Sequence, residues 1–572
     1  MIKISEKKAG GMASLFFGEI DYAAFFPFPG GPGTLSGGLP EGLEDLEEFF
    51  KDRILPERID GESHIPDSVL RALSEKGLWG MKVPKEFGGL GLTPMEFNRI
   101  TTLLSSHCVS TAISLSGSQC IGAAQFIQDY GSPEQQARIL PRVAEGAITA
   151  FALTETEAGS DPSRLKTFVT QEEDGSFRLT GQKIWSTNGL IADYIIVIAR
   201  DTASPAGKPV FSSFLVEKGS TGITYPNRCQ FMGLHGASIG VIRFEDVKIA
   251  PENLIGRRGE GIRQALEILN NGRVTLNTAC LGICKSSLRH VREYAKTRVQ
   301  WGTPIGGIPA VAAQIGEIAT LTFAVEAVTW YATACLQEGL PDLRLVSANA
   351  KRFCSEAGWK VADATLQVFG GKGYEGEESL ANRGEAPNPV ERNFRDARIT
   401  RIIEGTNEIM LMFLARDGMG PALKVMASDP FLAPDNALIA PVRSDSLPAD
   451  IDACIKYVRL TAGKLVNELA WLSRADHENQ KSEFDLAALR LTKVACNLHV
   501  LLMASSYTSA ILETGKGNGP QVRLLGALNA MLQIDNSNLL SANAETMMKD
   551  LHGIGESVLS GMYTSLEAGS VR

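Results

Sequence analysis

One glutamate stands where the sequence predicts that a helix begins, in the stretch RITRIIEGTNEIM at residues 398–410. Glu404 follows Ile402 and Ile403 and precedes Gly405. Apolar neighbours exclude water from a carboxylate, and this desolvation raises its pKa toward the value that a base needs near neutral pH. A glutamate at a helix start also stabilises the helix through its dipole. The residues by themselves therefore allow a catalytic and a structural interpretation.

Three other stretches have the composition of ligand contacts. Residues 151–167, FALTETEAGSDPSRLKT, contain small residues that would let backbone N–H groups and a serine hydroxyl approach a phosphate. In GQKIWSTNG at 181–189, Trp185 and Thr187 share one face of a predicted strand. The glycines of LQVFGGKGY at 366–374 allow close backbone contact but lack the strand–loop–helix setting of a dinucleotide-binding fingerprint. Each stretch also has an ordinary interpretation as a turn or as core packing.

Composition narrows the class of protein. The chain has 572 residues, 44% of them hydrophobic, a net charge of −9 and a pI near 5.5. That length predicts several domains, and the acidic balance argues against binding to nucleic acid. Nine cysteines occur without a C-x-x-C pair, and Cys280 and Cys284 have the spacing of one helix face. We therefore expect reduced core cysteines and no metal site.

The beginning of the chain does not have the pattern of an export signal. MIKISEKKAGG is basic, but the apolar run that follows is interrupted by Glu19 and Asp21 and lacks a small-residue cleavage site. We expect a cytoplasmic protein with no transmembrane span. A location in the mitochondrial matrix would require a transit peptide that has been removed.

Hydrophobic periodicity predicts an α+β fold that is mostly α. An N-terminal segment and helical domain cover residues 1–150, and a β domain covers 151–256. A helical-bundle domain that carries Glu404 covers 257–420, and an extra C-terminal helical domain covers 421–572. Five β-rich runs lie in the middle domain: AITAFALTE, SFRLTGQKIWSTN, DYIIVIAR, VFSSFLVEK and VIRFEDVKI.

Turn chemistry and amphipathicity refine this outline. Asp174-Gly175 predicts a hairpin turn. The Pro- and Asp-rich stretch at 428–450 predicts a linker before the last helical domain. The helices of that domain have wide apolar faces, which favours packing against other helices. A membrane-surface role is the alternative, but the basic face that it requires is thin.

The order of the motifs is more specific than any one of them. TETEAGSD, GQKIWSTNG, KTRVQWG, LQVFGGKGY and RDARITRIIEGTNEI follow one another along the chain. In this order they resemble the acyl-CoA dehydrogenase family of flavoproteins, over roughly residues 45–420. The segment before this region and the helical block after it resemble the very-long-chain branch of that family.

The resemblance implies a mechanism. In the family, FAD lies between the β domain and the second helical domain, and Glu404 matches the carboxylate that takes a proton from the carbon α to an acyl-CoA thioester. A hydride then leaves the β carbon for flavin N5, and the product is a trans-2-enoyl-CoA. The backbone N–H of Glu404 and the ribityl 2′-hydroxyl would bind the thioester oxygen. Electrons would pass to an electron-transfer flavoprotein.

The resemblance also implies a set of binding residues. The positions that match FAD contacts are Phe151, Leu153, Thr154, Gly159, Ser160, Trp185, Thr187, Arg298, Gln300, Trp301, Gln367, Gly371, Thr406 and Glu408. Five of them, Arg298, Gln300, Trp301, Gln367 and Gly371, match positions that reach the FAD of a neighbouring subunit, which implies a homodimer. The positions that match substrate contacts are Ser160, Arg273 and Gly405. Arg273 also has an interpretation as a helix-surface ion pair.

The sequence departs from the family pattern at two places, and its pocket residues bear on the substrate. The stretch EGEESLANRGEAPNP at 375–389 is longer than usual, and its polar composition predicts a surface loop. Ile403 is aliphatic where many relatives carry an aromatic residue.

Ala112 and Ser116 match positions on the floor of the acyl pocket. Their small side chains predict a medium to very long acyl chain, although close helix packing explains them as well.

Other functions of the same fold remain open at this level. An enoyl-CoA reductase would run the same chemistry in reverse, and a non-catalytic flavoprotein or assembly factor would keep the fold alone. Related nitroalkane oxidases, flavin-dependent hydroxylases and a DNA-damage-response protein form another class. The acidic pI argues against the DNA-associated relatives, and the glutamate of the EGTNE motif favours dehydrogenation.

Overall fold

The computed structural model describes most of the chain as two compact units. The described residues are 11–202, 209–340, 343–428, 447–473, 481–515 and 519–541. One unit comprises residues 33–407, and the other combines the chain up to residue 32 with the chain from residue 408 onward. The expectations for the first ten residues and for most of the 428–450 linker lie outside the described residues.

Helices dominate both units, and we number them in chain order. They are α1 (Tyr22–Phe25), α2 (Gly33–Ser36), α3 (Leu46–Arg53), α4 (Pro56–Glu62), α5 (Asp67–Glu75), α6 (Pro94–Ser105), α7 (Val109–Cys120), α8 (Ala123–Tyr130), α9 (Pro133–Ala144), α10 (Gly261–Thr297), α11 (Pro309–Gln337), α12 (Leu343–Phe369), α13 (Gly371–Tyr374), α14 (Glu377–Asn382), α15 (Val390–Ile399), α16 (Asn407–Leu414), α17 (Gly420–Ser428), α18 (Ala449–Leu472), α19 (Lys481–Glu513) and α20 (Pro520–Leu539).

Local sequence explains where the N-terminal helices begin. The Thr93 hydroxyl accepts the Glu96 N–H, and the Glu96 carboxylate accepts the Thr93 N–H, so α6 starts with a capping box. Ser132 and Gln135 form the same motif at the start of α9. The apolar faces of α3 to α7 then pack around Trp79.

The middle of the larger unit is a β domain. Its strands are β1 (Thr149–Ala152), β2 (Phe168–Gln171), β3 (Phe177–Ile184), β4 (Tyr194–Asp201), β5 (Val210–Glu217), β6 (Ile223–Arg228), β7 (Gly240–Ile249), β8 (Leu254–Ile255), β9 (Val299–Gln300) and β10 (Thr303–Pro304). The main sheet has the order β6-β7-β3-β2-β4-β5-β8, and β1 pairs in parallel with β4. β9 and β10 form a separate antiparallel pair.

Alternation along β4 gives the sheet two packed faces. Ile195 and Val197 point into a core made by the strands themselves. Ile196 and Ile198 point the other way, onto the apolar faces of α8 and α9. Successive side chains of a strand face opposite sides, so this one strand joins the β domain to the helices beside it.

The hairpin prediction is confirmed, but its first strand was not predicted. β2 pairs antiparallel with β3 in the register Gln171 to Phe177, and the Asp174 carboxylate accepts the Ser176 N–H in the turn. β2 is short and β6 is largely exposed, so neither has the apolar alternation that marks the five predicted runs. Those five runs all contain strands of the sheet.

Long helices form the rest of the larger unit. α10 packs against α6, α11 and α12, and α15 packs on α12. A Cβ added at Gly282 would lie 2.5 Å from the Ser105 side chain, so the crossing of α10 and α6 requires a residue without a side chain. The predicted succession of helical, β and helical regions is confirmed.

The smaller unit joins the two ends of the described chain. Phe25 contacts the ring of His499 at 5.6 Å, and the Ser506 hydroxyl donates to the Phe25 carbonyl. A Cβ at Gly18 would lie 2.8 Å from a Val466 methyl group. The segment at residues 11–32 therefore belongs to one unit with α18 and α19, and residues 11–17 pack against both helices. This division of the chain differs from the boundaries at 150, 256 and 420, because segments distant in sequence share one core.

Among the described residues, two helices are long and apolar enough to cross a membrane when judged by length and composition alone, α11 and α19. Half of the apolar window of α11 and 83% of that of α19 are buried within the chain itself. Core helices of globular proteins pass the same test, so this composition is weak evidence for a membrane span.

Candidate active site

Glu404 lies in a tight turn between α15 and α16. The backbone of Glu404 is left-handed with φ of 58°, and Gly405 follows with φ of 89°. Left-handed conformations are unfavourable for residues with a Cβ, so the glutamate persists there only because its surroundings fix it. α16 begins at Asn407, directly after Thr406.

Two buried cations hold the backbone of this turn. Arg273 Nε on α10 donates to the Glu404 carbonyl at 3.0 Å, and Lys351 Nζ on α12 donates to the Gly405 carbonyl at 2.7 Å. Lys351 also donates to the Asn407 side-chain oxygen at 2.8 Å. The turn is therefore fixed from two helices through its main chain, which leaves the Glu404 carboxylate unused by the fold.

The Glu404 carboxylate is the most perturbed acid of the turn. Its Oε2 is out of contact with solvent and has no hydrogen-bond partner within the described part of the chain. Burial raises the pKa of Glu404 to about 7, although the charges of Arg273 and Lys351 act in the opposite direction. A carboxyl group that titrates near neutral pH can both accept and return a proton, which is the property of a general base.

A cavity lies beside this carboxylate. It is a small, partly open cavity of about 30 Å³ between α7, α10 and the Glu404 turn. Its lining residues are Ile113, Ser116, Gly117, Cys120, Ile121, Thr187, Gly272, Thr275, Leu276, Ile403 and Glu404. The walls are mostly apolar or small, and a Cβ at Gly272 would lie only 3.2 Å from the Glu404 carboxylate. Glu404 thus faces apolar and small side chains across this cavity.

The structure separates the two residues predicted for the pocket floor. Ser116 lines the cavity, whereas Ala112 is buried in the core of the N-terminal helices. The lining also contains Gly117, the residue after Ser116, and Cys120, one helical turn further along α7, neither of which the sequence singled out. The run VSTAISLSGSQC holds several small residues, but only the packing of α7 shows which of them face the cavity.

Trp185 and Thr187 follow β3, which ends at Ile184, so the prediction that they share one face of a strand is wrong. Thr187 lines the cavity and contacts the position where a Cβ on Gly117 would lie, at 3.0 Å. Trp185 has a left-handed backbone with φ of 60° and is 56% exposed. A large exposed indole in an unfavourable conformation is unusual for a core residue, which favours the interpretation of Trp185 as a ligand wall.

The predicted phosphate loop follows β1. Gly159 and Ser160 are exposed, and Thr154 is half-buried with its carbonyl accepting the Ile184 N–H at 3.0 Å. Phe151 and Leu153 contribute to the core beneath the loop, where Phe151 packs on Phe126 at 5.2 Å and stays only 8% exposed. The ring of Phe151 is therefore mainly a packing residue.

A buried ion pair supports this loop and was not predicted. Lys183 Nζ on β3 donates to the Glu155 carboxylate at 2.7 Å and to the Leu153 carbonyl at 2.8 Å. Glu155 also accepts the backbone N–H groups of Lys166 and Thr167. Burial lowers the pKa of Lys183 to about 8. Both residues lie inside quoted motifs, but their pairing depends on the sheet register.

The remaining predicted FAD positions are on the surface of their units. Arg298 ends α10, and Gln300 and Trp301 follow in the β9–β10 pair, where Trp301 is 89% exposed. Gln367 and Gly371 are exposed at the junction of α12 and α13. Glu408 is exposed in the first turn of α16. These residues are therefore exposed to solvent in the single chain.

Arg273 is not a helix-surface ion pair. Its guanidinium is buried, and besides the Glu404 carbonyl it donates to the Asn270 side-chain oxygen at 3.0 Å. Burial lowers the pKa of Arg273 below its ordinary value. The surface interpretation is therefore wrong, because α10 turns this residue toward the Glu404 turn.

The long insertion contains a helix in place of the expected surface loop. α14 buries Leu380 and is tied to α15 by the ion pair between Glu377 and Arg392 at 2.8 Å. Arg383 pairs with Glu375 at 2.8 Å on the exposed side. One buried leucine and these charge pairs order a segment that composition alone describes as a loop.

Comparison with known proteins agrees with this geometry. Family models for the N-terminal, middle and C-terminal domains of acyl-CoA dehydrogenases match residues 42–147, 150–247 and 259–419. The chain belongs to the acyl-CoA dehydrogenase family.

Among curated proteins, the chain is 40% identical over 406 residues to probable acyl-CoA dehydrogenase FadE10 of Mycobacterium tuberculosis. It is 33% identical over 414 residues to the mitochondrial very long-chain specific acyl-CoA dehydrogenase of Mus musculus. Each match covers 71% of this chain but only 62% and 61% of the length of the two relatives.

Two solved structures share the fold at 31% identity and a TM-score of 0.61. One is butyryl-CoA dehydrogenase from Megasphaera elsdenii, which covers 68% of this chain and 99% of its own. The other comes from the electron transferring flavoprotein of Acidaminococcus fermentans and covers 66% of this chain and 98% of its own.

Proposed function

We propose that this protein is an FAD-dependent acyl-CoA dehydrogenase that converts an acyl-CoA thioester to its trans-2-enoyl-CoA. One observation carries the proposal. The Glu404 Oε2 atom is buried and has no hydrogen-bond partner in the described residues, burial raises the pKa of Glu404 to about 7, and the side chain lines a cavity whose walls are mostly apolar or small. No hydrogen bond within the described residues uses this carboxylate oxygen to stabilise the fold, whereas α-proton abstraction from an acyl chain requires such a group.

The chain's own residues have distinct tasks in this reaction. Glu404 takes the α-proton, and Arg273 and Lys351 hold its backbone so that the carboxylate stays against the cavity. Ile113, Ile121 and Leu276 exclude water around the acyl chain. We assign the backbone N–H of Glu404 to the thioester oxygen, where it would stabilise the negative charge that develops. Loss of water from the site strengthens each of these interactions.

The residues beside the cavity fit a flavin. Trp185 offers an exposed aromatic surface, Thr187 reaches the cavity, and Gly159 and Ser160 leave a bare backbone and a hydroxyl exposed. These residues and Thr154 would hold the FAD. When bound, the flavin supplies the two-electron acceptor for the β-hydrogen.

We further propose a medium to very long acyl chain, an electron-transfer flavoprotein as acceptor, and a homodimer. Ser116 and Gly117 leave the α7 side of the cavity without large side chains, which supports a long acyl group. Similarity to the very long-chain specific enzyme of mouse supports the same length. The exposure of Trp301 and its neighbours in an isolated chain supports a second subunit that covers them.

Anaerobic titration of the purified flavoprotein with acyl-CoAs of increasing length tests the proposal. We expect the oxidised flavin spectrum to bleach with acyl-CoA but not with free CoA. Glu404→Gln should retain flavin and lower turnover by about 10²–10⁴, while Glu338→Gln, an exposed glutamate at the end of α11, should behave as wild type. Full activity of Glu404→Gln would remove the assignment of the base.

A further inference from the structure

A buried lysine lies directly beneath the Glu404 turn. Lys351 has no exposed surface, and its ammonium group donates to Gly405 and Asn407 at 2.7 and 2.8 Å. Burial lowers its pKa to about 8, and the charges that face it are those of Glu404, Arg273 and Glu356. Burial of an ammonium group costs free energy unless hydrogen bonds replace its lost hydration. The hydrogen bonds of Lys351 to the turn fill this role.

α12 supplies more than this one contact. Asn407 donates its side-chain N–H groups to Ser355 Oγ at 3.0 Å and to Glu356 Oε1 at 2.8 Å. Lys351 and Ser355 are four residues apart and share one face of the helix. The polar side chains on that face hydrogen-bond to Asn407, at the end of the Glu404 turn.

The contacts of Lys351 are to the backbone of the turn and to Asn407. Its printed hydrogen bonds do not include the Glu404 carboxylate, whose Oε2 stays unpartnered in the described residues. The two left-handed residues, Glu404 and Gly405, are therefore fixed at successive carbonyls by Arg273 and Lys351. A backbone in this conformation relaxes when such a constraint is removed.

We propose that Lys351 is a positioning residue for the base: it clamps the Gly405 carbonyl and Asn407 so that the Glu404 carboxylate points into the cavity. This inference rests on the proposed function. Lys351 touches neither the cavity lining nor the reacting atoms, so it acts through the turn alone.

Loss of the clamp should slow chemistry more than binding. Lys351→Met keeps a similar length without the charge and leaves the cavity walls intact. A base displaced by about 1 Å loses up to about 10²-fold in rate, so we expect flavin reduction at saturating acyl-CoA to slow by about 10- to 100-fold. The dissociation constant of the acyl-CoA and the flavin content should stay within about threefold of wild type.

The matched control is Lys360→Met, which changes an exposed lysine of the same helix. Asn407→Ala provides a second variant in case Lys351→Met fails to fold, because it removes one of the two acceptors and leaves the Gly405 bond. We expect a smaller loss of rate for Asn407→Ala. Its effect should not add to that of Lys351→Met, since both act on one turn.

Hydrogen exchange gives a readout that does not require activity. In Lys351→Met, the amides of residues 400–407 should exchange faster than in wild type, while those of α15 should not change. Wild-type flavin that no acyl-CoA bleaches would refute the proposed function and leave this exchange result intact. Unchanged exchange, or an unchanged rate of flavin reduction in folded Lys351→Met, would overturn the role of Lys351.

Discussion

Glu404 should destabilise the folded protein at the pH where it is ionised. Its pKa is raised from an ordinary value of 4.5 to about 7 by burial. The folded state therefore binds this proton more tightly than the unfolded chain does. The stability that the group contributes is complete below pH 4.5 and is lost as the pH rises to about 7. The difference corresponds to about 3 kcal/mol, at roughly 1.4 kcal/mol per pH unit over that range.

Glu404→Gln resembles the protonated form at every pH, so the variant should escape this loss. We expect the two proteins to have similar free energies of unfolding near pH 5 and the variant to gain up to about 3 kcal/mol near pH 8. Urea unfolding at several pH values, with a constant excess of FAD, measures the difference. Glu173→Gln, in the exposed turn before β3, is the control and should show no such trend.

A difference between wild type and Glu404→Gln that does not vary with pH would refute the argument. It would mean that the carboxylate is hydrated in the folded protein, and the assignment of a desolvated base would fall with it. A gain that grows as the pH falls would have the wrong sign and would refute the argument equally.

Three further predictions follow from the same contacts. Gly272→Ala would place a Cβ 2.6 Å from Ile121 and 3.2 Å from the base, so turnover should fall and stability should drop by about 1–3 kcal/mol; Gly316→Ala, on an open face of α11, should be neutral or stabilising in the same urea assay. Lys183→Met leaves Glu155 buried without its partner and should lose about 3–5 kcal/mol, with partial recovery when Glu155→Gln is added. Of the nine cysteines, all free, only Cys229 is not fully buried, so a thiol reagent should modify at most one per native chain and all nine after denaturation.

Motif order and periodicity were sufficient to predict the architecture and to select Glu404, which the structure places beside a cavity. The helical and β-rich segments follow from spacing within a few residues of sequence, and Glu404 is marked by apolar neighbours that are adjacent to it in the chain. β2 and β6 were missed because one is short and the other lies mostly in solvent, so hydrophobic alternation is weak in both.

The supporting residues could not be predicted for a different reason. Lys351 follows the small residues of SANA in α12 and directly precedes Arg352, a pattern that shows neither its burial nor what it binds. The pairing of Lys183 with Glu155 depends on strand register, and the contrast between Ala112 and Ser116 depends on the rotation of α7. These features depend on contacts between segments distant in the chain, which a single sequence does not specify.

The composition of the smaller unit sets an order for biogenesis. Residues 11–32 leave the ribosome early, but the helices α18 and α19 that cover Phe16 and Phe25 are made only after residues 33–407. The larger unit is complete by then and can fold while the nascent chain is still growing. Until those helices are made, the aromatic side chains of the early segment have no packing partners. We expect a chaperone to bind this segment during translation.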